Sequence, residues 1–256
     1  MDLQLAGKTA LVTGGSKGIG LAVAKVLAAE GCHLHLAART AADLEAARQD
    51  IASRHNVGVE THACDLSDSA DQKALFEACP DVDILVNNAG AIPVGDLLAV
   101  DEATWRGAWD LKVFGFINLC RHFYGAMSGR GDGVIVNVIG LAGERASYGY
   151  IAGSAGNASL MHFTRALGGR SGDHGVRVVG VNPGRTATER MVYMLRHQAE
   201  KEFGDPERWE QYLAQEPMGR AGRPEEVADL VAFLASPRAA YITGTIVTID
   251  GGKGSR

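Results

Sequence analysis

The sequence lacks the long apolar runs that membrane-spanning proteins need. No stretch of its 256 residues approaches the roughly 20 consecutive apolar residues required to cross a bilayer. Its first residues, MDLQLAGKTALVTGG, do not place a basic region ahead of an apolar one, which is the pattern of a secretory signal peptide. We therefore expect no membrane partner and a cytoplasmic location.

Cysteine is scarce, and positive charge is not concentrated anywhere. The four cysteines lie far apart, without the paired spacing of a metal site, and the eight histidines form no ligand grouping. We expect the cysteines to be small buried residues, and we predict no metal. The net charge of −5 and the absence of a basic cluster argue against nucleic acid as a partner. A hydrophobic share of 46% with 21% charged residues instead fits a globular protein.

Short β-rich segments alternate with longer amphipathic segments along the whole chain. The predicted strands cover residues 8–13, 32–38, 59–64, 82–87, 133–138, 176–181 and 245–250. The predicted helices cover residues 18–30, 41–55, 68–79, 101–127, 153–171 and 224–236. Such alternation indicates a parallel sheet of about seven strands with helices on both faces. No linker or repeat interrupts it, so we predict a single α/β domain over residues 1–256.

A glycine-rich segment, TGGSKGIG at residues 13–20, stands between the first predicted strand and the first predicted helix. At that place glycines permit a tight turn, and the start of the helix presents free N–H groups to a pyrophosphate. The position of the segment predicts a doubly wound, Rossmann-type sheet that binds a dinucleotide. The glycines are spaced more widely than in the usual dinucleotide fingerprint.

Several motifs follow one another in the order found in one enzyme family. After the wide glycine turn come CDL at 64–66, NNAG at 87–90 and VNPGRTAT at 181–188, and a C-terminal segment runs from GRAGRPEEV to TIVTIDGG at 219–252. In these motifs the chain resembles the short-chain dehydrogenase/reductase family over its full length. The resemblance implies hydride transfer between a nicotinamide cofactor and a small-molecule substrate.

The resemblance also implies which residues contact the cofactor. The residues that would line the pyrophosphate turn are Gly14, Gly18, Ile19 and Gly20. Those that would flank the adenine are Asp65 and Leu66. Those that would pack along the adenosine ribose are Asn88, Ala89 and Gly90. Those that would meet the nicotinamide side are Pro183, Gly184, Thr186 and Thr188.

The choice between NAD(H) and NADP(H) depends on charge at the end of the second predicted strand. An acidic residue there would bind the ribose 2′-hydroxyl of NAD and repel a 2′-phosphate. The strand ends in LAART, with Ala38 where the acid would stand and Arg39 beside it, and Ser16 and Lys17 lie in the first turn nearby. Two cations without an acid favour NADP(H) over NAD(H). The alternative is that Arg39 is a solvated residue stacked on the adenine.

Four residues carry the acid–base chemistry of the family: an asparagine, a serine, a tyrosine and a lysine. By the resemblance, the tyrosine is the general acid/base and the lysine lowers its pKa, while the serine orients the substrate oxygen and the asparagine helps to hold a water. Alignment without gaps from NNAG to VNPG places the four positions on Lys112, Gly140, Gly153 and Asn157. All four residue types differ from the family's, which predicts an atypical catalytic site.

Lys112 and Asn157 look like an exchange of the family's asparagine and lysine. Our hypothesis is that Lys112 extends into the space of the missing side chains and supplies the cation or the proton. Tyr150 lies about one helical turn before Gly153 and can reach the same groove. Ser154 is a weaker candidate for orienting a substrate oxygen. The alternatives are a helix-surface Lys112 and a Tyr150 that packs at a subunit contact.

The segment 186–220 breaks the alternation and is the predicted substrate lid. Six of its apolar residues recur at near-helical spacing: Met191, Met194, Leu195, Trp209, Tyr212 and Leu213. We expect two short amphipathic helices separated by a turn at GDPE, with Pro206 at an early helical position. An apolar cover favours a substrate with a hydrophobic or aromatic body. Arg185, Arg190 and Arg196 are either carboxylate-binding residues or ordinary surface residues.

Three functions remain open on the sequence alone. The leading hypothesis is an NADP(H)-dependent oxidoreductase that interconverts a carbonyl and an alcohol through a rearranged proton relay. The second is a non-redox enzyme on the same fold, such as a lyase or hydrolase, and the third is a non-catalytic sensor that binds NADP(H) or a ligand. The resemblance further implies a homo-oligomer, a dimer or tetramer, formed by the helices near 101–127 and 153–171.

Overall fold

Seven parallel strands form the one sheet of the molecule. The structure is a computed structural model that describes every residue from Met1 to Arg256. The strands are β1 Thr9–Thr13, β2 His33–Ala38, β3 Val59–Ala63, β4 Ile84–Asn87, β5 Gly133–Val138, β6 Val176–Pro183 and β7 Ile246–Ile249. They lie in the order β3-β2-β1-β4-β5-β6-β7, and every neighbouring pair is parallel. The predicted doubly wound sheet of seven strands is therefore confirmed.

Eight α-helices connect the strands. They are α1 Gly18–Ala29, α2 Ala41–Ala52, α3 Ser69–Ala78, α4 Glu102–Trp109, α5 Gly115–Arg130, α6 Ile151–Ser171, α7 Glu189–Phe203 and α8 Pro224–Ala235. All six helices predicted outside the lid segment are present. None of the eight combines the length and the apolar character needed to span a membrane.

The residues of each central strand alternate between two cores on opposite faces of the sheet. Ala10 and Val12 of β1 belong to a cluster of 27 buried residues that includes α1, α2 and α8. Leu11, between them, belongs to a second cluster with residues of α3 and α5. A strand whose two faces are both covered needs apolar residues at every position, which explains the continuous run ALV in β1.

The helix predicted over 101–127 is interrupted, and in this respect the prediction is wrong. Helix α4 ends at Trp109, a single π-helical turn covers Asp110–Phe114, and α5 continues from Gly115. A π-turn inserts one extra residue into a helix and occurs frequently at functional sites. Here it carries Lys112, whose side chain is directed into the protein. Nothing in the hydrophobic periodicity of the segment indicates the extra residue.

Histidine and cysteine side chains meet on one face of β2 and β3, so the prediction that they form no ligand grouping is wrong. His35 on β2, His62 on β3 and Cys79 after α3 place their ligand atoms within 4.8 Å of one another. These residues lie far apart in the sequence, and only the parallel pairing of β2 with β3 brings them together. All four cysteines are free thiols, and three of them are buried, as predicted.

Helix α6 approaches the loop before β7 closely enough to exclude a side chain at Gly168. A Cβ atom built on Gly168 would lie 2.4 Å from the backbone nitrogen of Gly244 and 2.5 Å from the carbonyl oxygen of Val178. The hydroxyl of Thr243 donates a hydrogen bond of 3.1 Å to the carbonyl oxygen of Gly168 at the same contact. The adjacent Gly169 has no atom within 4 Å of an added Cβ. Contact between backbones at Gly168 therefore sets the distance between α6 and the sheet.

Gly168→Ala is expected to lower the free energy of unfolding by about 1–3 kcal/mol, because the added Cβ overlaps backbone atoms that cannot rotate away. Gly169→Ala is the matched control. It should raise the free energy of unfolding by about 0.5–1 kcal/mol, because alanine is the better helix former and the site has space. Urea denaturation of the two variants and the wild type measures both effects. Equal effects in the two variants would contradict the close contact at Gly168.

Candidate active site

The glycine-rich turn packs against the end of β4 with no space for side chains. A Cβ atom on Gly20 would lie 2.2 Å from the carbonyl oxygen of Gly14, and one on Gly14 would lie 2.8 Å from Nδ2 of Asn88. Gly14 also has a φ of +66°, which favours glycine. The predicted turn residues Gly14 and Gly20 are therefore brought together with Asn88 from the NNAG motif.

The hydroxyl of Thr13 joins the ends of β1 and β4. It accepts hydrogen bonds from the backbone N–H groups of Asn88 at 2.9 Å and Ala89 at 3.1 Å. Nδ2 of Asn88 donates in turn to the carbonyl oxygen of Thr13 at 3.0 Å. The order of the strands reverses between β1 and β4, and ligands of such sheets bind in the crevice at that point.

The start of α1 offers the hydrogen-bond donors that an anion needs. Lys17 is the N-cap residue, and its side chain makes no capping hydrogen bond. The N–H groups of the first turn, which begins at Gly18, consequently have no side-chain partner and point toward the crevice. This arrangement fits the pyrophosphate of a dinucleotide.

The residues predicted to meet the nicotinamide side lie across the crevice from the glycine turn. Thr188 is the N-cap of α7, and its Oγ1 accepts a hydrogen bond of 3.2 Å from the N–H of Met191. A Cβ atom on Gly18 would lie 3.3 Å from Cγ2 of Thr188, so the two segments touch. Oγ1 of Thr186 donates to the carbonyl oxygen of Gly184 at 3.1 Å, just beyond Pro183 at the end of β6.

Asp65 and Leu66, predicted to flank the adenine, follow directly after β3. The carboxylate of Asp65 accepts hydrogen bonds from the N–H and the hydroxyl of Ser67, and these bonds hold its pKa below the ordinary value. Leu66 is buried, and its carbonyl oxygen accepts a hydrogen bond of 2.8 Å from Nε2 of Gln72. The segment is fixed by these bonds at the same edge of the sheet as the glycine turn.

The prediction that two cations and no acid surround the expected 2′-phosphate position is wrong, because an aspartate lies beside one of the cations. Nζ of Lys17 lies 3.1 Å from Oδ2 of Asp43, in the first turn of α2. Asp43 therefore neutralises part of the charge of Lys17. Arg39 is exposed and forms no salt bridge in the structure, although its charge acts on the nearby carboxylate of Asp65. It is the cation more available to a phosphate.

Lys112 is buried, and the alternative of a helix-surface lysine is wrong. Its side chain is 7% exposed, and Nζ donates a hydrogen bond of 2.8 Å to the carbonyl oxygen of Val138 at the end of β5. Nζ also lies 4.3 Å from the centre of the Phe116 ring. No carboxylate forms a salt bridge with it. Burial, with a smaller contribution from the charge of Arg190, lowers the pKa of Lys112 to about 7.

The ring of Tyr150 occupies the space beside Gly153 that a side chain at that position would fill. A Cβ atom on Gly153 would lie 2.0 Å from Cε1 of Tyr150. Burial raises the pKa of the Tyr150 phenol, and the neighbouring guanidinium of Arg190 opposes that rise. Arg190 is held in place by a hydrogen bond of 2.6 Å from Nη2 to the carbonyl oxygen of Ile92. Tyr150 therefore does reach the groove from the N-terminal side of α6.

Asn157 faces Gly140 across the end of β5. Nδ2 of Asn157 donates to the carbonyl oxygen of Gly140 at 3.4 Å, and a Cβ atom on Gly140 would lie 3.0 Å from the same Nδ2. Oδ1 of Asn157 is buried and has no hydrogen-bond partner. Lys112 and Asn157 make no hydrogen bond to each other. Each instead binds a carbonyl oxygen of the segment from Val138 to Gly140.

Ser154 has a partner within the protein. Its Oγ accepts a hydrogen bond of 3.0 Å from the backbone N–H of Ser147. This bond ties the loop before α6 to the helix itself. The structure thus places Ser154 in a contact that anchors the loop before α6.

The segment 186–220 contains the two predicted helical parts, but the second is a 3₁₀-helix over Pro206–Gln215. Gly204 ends α7 with a φ of +64°, and Pro206 is the first residue of the 3₁₀-helix, as expected for GDPE. The apolar residues form a cluster of their own: Met191, Leu195 and Ala221, with Val192, Trp209, Tyr212 and Leu213 packed against them. Most of these side chains therefore face one another.

The far end of this segment is anchored by a buried carboxylate. The Glu216 side chain is 3% exposed. It forms salt bridges with Nη1 of Arg185 at 2.7 Å and with Nζ of Lys253 near the C-terminus. Arg185 thus serves the anchoring of the segment and is not free to hold a substrate carboxylate.

The chain is similar in sequence to a protein family and to several characterised enzymes. A family model described as enoyl-(acyl carrier protein) reductase matches residues 14–253. Galactitol 2-dehydrogenase (L-tagatose-forming) of Cereibacter sphaeroides is 38% identical over 251 residues, which are 97% of this chain and 96% of that enzyme. The L-xylulose reductase of Bos taurus is 34% identical over 254 residues, 98% of each chain.

The chain belongs to the short-chain dehydrogenase/reductase family. Among solved structures, L-sorbose reductase from Gluconobacter frateurii, complexed with NADPH and L-sorbose, superposes with a TM-score of 0.91 at 29% identity and covers 100% of both chains. Membership and the full-length match make this chain an oxidoreductase of the short-chain type. The two relatives named above are called after galactitol and L-xylulose, and others are 3-oxoacyl-(acyl-carrier-protein) reductases.

The buried position of Lys112 predicts a pH-dependent contribution to stability. Its pKa is about 7 in the folded protein and 10.5 when unperturbed. Between these values the unfolded chain holds a proton that the folded protein lacks, so raising the pH favours the folded state. The free energy of unfolding of the wild type, minus that of Lys112→Met, should rise by about 1.4 kcal/mol per pH unit from pH 7 to pH 9. Urea denaturation at several pH values measures it.

The difference between the two proteins isolates Lys112, because every other titrating group is common to both. A difference that stays constant from pH 7 to pH 9 would show that the ammonium remains protonated inside the folded protein. Below pH 7 no further dependence is expected, since Lys112 is then charged in both states.

Proposed function

We propose that the chain is an NADP(H)-dependent oxidoreductase that interconverts a carbonyl and an alcohol on a small molecule, with Lys112 and Tyr150 in its acid–base centre. The observation that carries this proposal is the buried amine of Lys112. It lies at the carboxyl edge of the sheet, beside Gly90 of the NNAG motif, and has no carboxylate partner. The atypical site follows from the alignment that puts Lys112, Gly140, Gly153 and Asn157 at the family's four positions.

A bound nicotinamide would supply hydride transfer to or from the carbon atom of the substrate. The chain must then deliver a proton to the substrate oxygen on reduction, or remove it on oxidation. A group with a pKa near 7 is suited to both directions at neutral pH. The neutral amine of Lys112 donates one N–H to Val138 and keeps its lone pair and second N–H for a substrate oxygen or a water.

Two neighbouring groups complete the proposed centre. The phenol of Tyr150, beside Arg190, is placed to orient the substrate oxygen or to pass on the proton. Oδ1 of Asn157 is a buried acceptor without a partner, and such groups are rare unless a ligand or water binds them. A hydroxyl of the cofactor or of the substrate would satisfy it. Ser154 is a weaker member of this centre: its Oγ accepts a hydrogen bond from the N–H of Ser147 and keeps its own O–H for a substrate oxygen.

The preference for NADP(H) is supported by Arg39, an exposed guanidinium that forms no salt bridge. A guanidinium with no carboxylate partner binds a phosphate through charge-assisted hydrogen bonds. Lys17 contributes less, because Asp43 competes for it. The related L-sorbose reductase was solved with NADPH, which agrees with this preference.

Two classes of substrate are proposed, and different observations favour them. The apolar residues of segment 186–220, which we propose as the lid, favour a hydrophobic or aromatic body. Several of those residues pack on one another, but Tyr193, Phe203 and Met218 of the same segment keep apolar surface exposed. The names of the relatives, a galactitol dehydrogenase and an L-xylulose reductase, favour a ketose or sugar alcohol. A homo-oligomer and a cytoplasmic location remain predictions.

The deciding experiment measures NADPH oxidation by the wild type, Lys112→Met and Tyr150→Phe with a panel of ketoses, aromatic ketones and aldehydes. We expect turnover by the wild type and a kcat reduced by about 100-fold or more in Lys112→Met, because general acid–base catalysis contributes at least that factor. Lys73→Met, on the outer surface of α3, is the matched control and should retain wild-type kcat.

Other outcomes would assign another function. The redox proposal would be contradicted if the protein bound NADPH tightly but no carbonyl oxidised NADPH and no alcohol reduced NADP⁺. That result would favour a sensor or a non-redox enzyme. A kcat for Lys112→Met equal to that of the wild type would remove Lys112 from the proton transfer. The preferred substrate within the panel decides between the polar and the aromatic class.

Arg39→Ala is expected to weaken NADPH binding by about 10–100-fold, because it removes charge-assisted hydrogen bonds to the 2′-phosphate, and to leave NADH binding unchanged. Lys17→Ala should weaken NADPH binding less than Arg39→Ala, since Asp43 already pairs with Lys17. Titration calorimetry with both cofactors measures the two effects. Equal loss of NADPH and NADH affinity in Arg39→Ala would instead indicate that Arg39 stacks on the adenine.

A further inference from the structure

Three metal-ligating side chains converge outside the cofactor crevice, on the edge of the sheet formed by β2 and β3. His35 lies in β2 and His62 in β3. His62 pairs with Ala37, two residues beyond His35, so the two histidine side chains lie on the same face of the sheet. Cys79 follows the last residue of α3, which covers that face. The ligand atoms of all three lie within 4.8 Å of one another, and Nδ1 of His35 is 2.9 Å from Nε2 of His62.

Cys79 is buried, and His35 and His62 are half-buried. Cys79 is 4% exposed, and the side chain of His35 is 15% exposed. Without a metal, the two nitrogens can share one hydrogen bond only if at least one ring is neutral.

A carboxylate at the rim of the group can supply a fourth ligand atom, an oxygen. Glu60 is the residue of β3 that pairs with His35, and its Oε2 lies 3.7 Å from Nδ1 of His35. Its side chain is 71% exposed and therefore free to rotate toward the group. One thiolate and one carboxylate would balance the charge of a divalent cation, so that no net charge is left at the buried edge.

We propose that His35, His62, Cys79 and Glu60 bind a divalent transition-metal ion of the zinc type. Two nitrogens, one sulfur and one oxygen suit zinc and disfavour magnesium and calcium, which take oxygen ligands. On binding, the S–H bond of Cys79 breaks, the sulfur–metal bond forms and the proton passes to solvent. A closed set of four protein ligands makes the site structural.

The geometry requires only side-chain movement. Tetrahedral zinc has bonds of about 2.0–2.1 Å to nitrogen and about 2.3 Å to sulfur, which places ligand atoms about 3.3–3.6 Å apart. The two imidazole nitrogens must separate by a few tenths of an ångström, and Cys79 must give up the weak hydrogen bond from its thiol to the carbonyl oxygen of Leu75. The ion would then tie the end of α3 to the edge strand β3.

Cobalt is the probe that identifies the ligands, because a cysteine thiolate bound to Co²⁺ gives a charge-transfer absorption band that histidine and carboxylate ligands do not. The full chain, freed of metal with a chelator, is titrated with Co²⁺ and then with Zn²⁺. We expect one equivalent of Co²⁺ to produce the band, Zn²⁺ to abolish it by displacement, and one equivalent of Zn²⁺ to raise the melting temperature.

Variants assign the ligands. Cys79→Ser should lose the cobalt band, and both Cys79→Ser and His62→Ala should bind Zn²⁺ about 100-fold more weakly than the wild type. Cys32→Ser, at a buried thiol elsewhere, and His33→Ala, at the neighbouring exposed histidine of β2, are the matched controls and should bind Zn²⁺ as the wild type does. Circular dichroism of each metal-free variant checks that it folds.

Two results would overturn the proposal. The first is the absence of the band in the wild type, a test that requires no variant to fold. The second is a band and a zinc affinity in Cys79→Ser equal to those of the wild type, which would indicate that a different cysteine binds the metal. Neither result concerns the cofactor crevice, so the metal site and the proposed oxidoreductase activity are tested independently of each other.

Discussion

Parallel pairing of β1 with β4 is the constraint on which the rest of the molecule depends. It reverses the strand order at the middle of the sheet and opens a crevice between two strand ends. The Thr13 hydroxyl spans that crevice, fixing the end of β4 against the glycine turn. The close contacts of Gly14 and Gly20 follow, because any side chain there would push the two strand ends apart. The same edge positions Lys112 and Asn157 around the end of β5.

A buried lysine without a carboxylate partner is costly, and the local structure explains how the fold tolerates it. The π-turn directs Lys112 inward, and the Val138 carbonyl and the Phe116 ring provide its contacts. These contacts are too weak to keep a buried ammonium fully charged, so the amine shares its proton with solvent near neutrality. The burial that destabilises the folded state is therefore also what brings the pKa of the Lys112 amine to about 7.

The fold was predictable from the sequence because apolar periodicity reports directly on a sheet covered on both faces. All seven strands could be recognised from that periodicity, and the family's motifs from their residues and their order along the chain. The site was predictable only where it depends on local order, as at Gly14 and Gly20. Contacts between distant segments escaped prediction: Asp43 against Lys17, Arg190 beside Tyr150, and His35 with His62. Such contacts depend on helix direction and strand pairing, which no single segment of sequence encodes.

The residues that we propose at the family's catalytic positions fit one another in shape. Gly153 makes room for the Tyr150 ring, which enters from one turn earlier in the chain, and Gly140 makes room for the shorter amide of Asn157. A lysine at 157 together with one at 112 would place two cations around the same strand end and raise the free energy of both. Asparagine at 157 avoids that repulsion and leaves one acceptor oxygen, Oδ1, unpaired. In the proposed site, the exchange of lysine and asparagine would thus keep one cation and one amide in the crevice, with the cation carried by the π-turn.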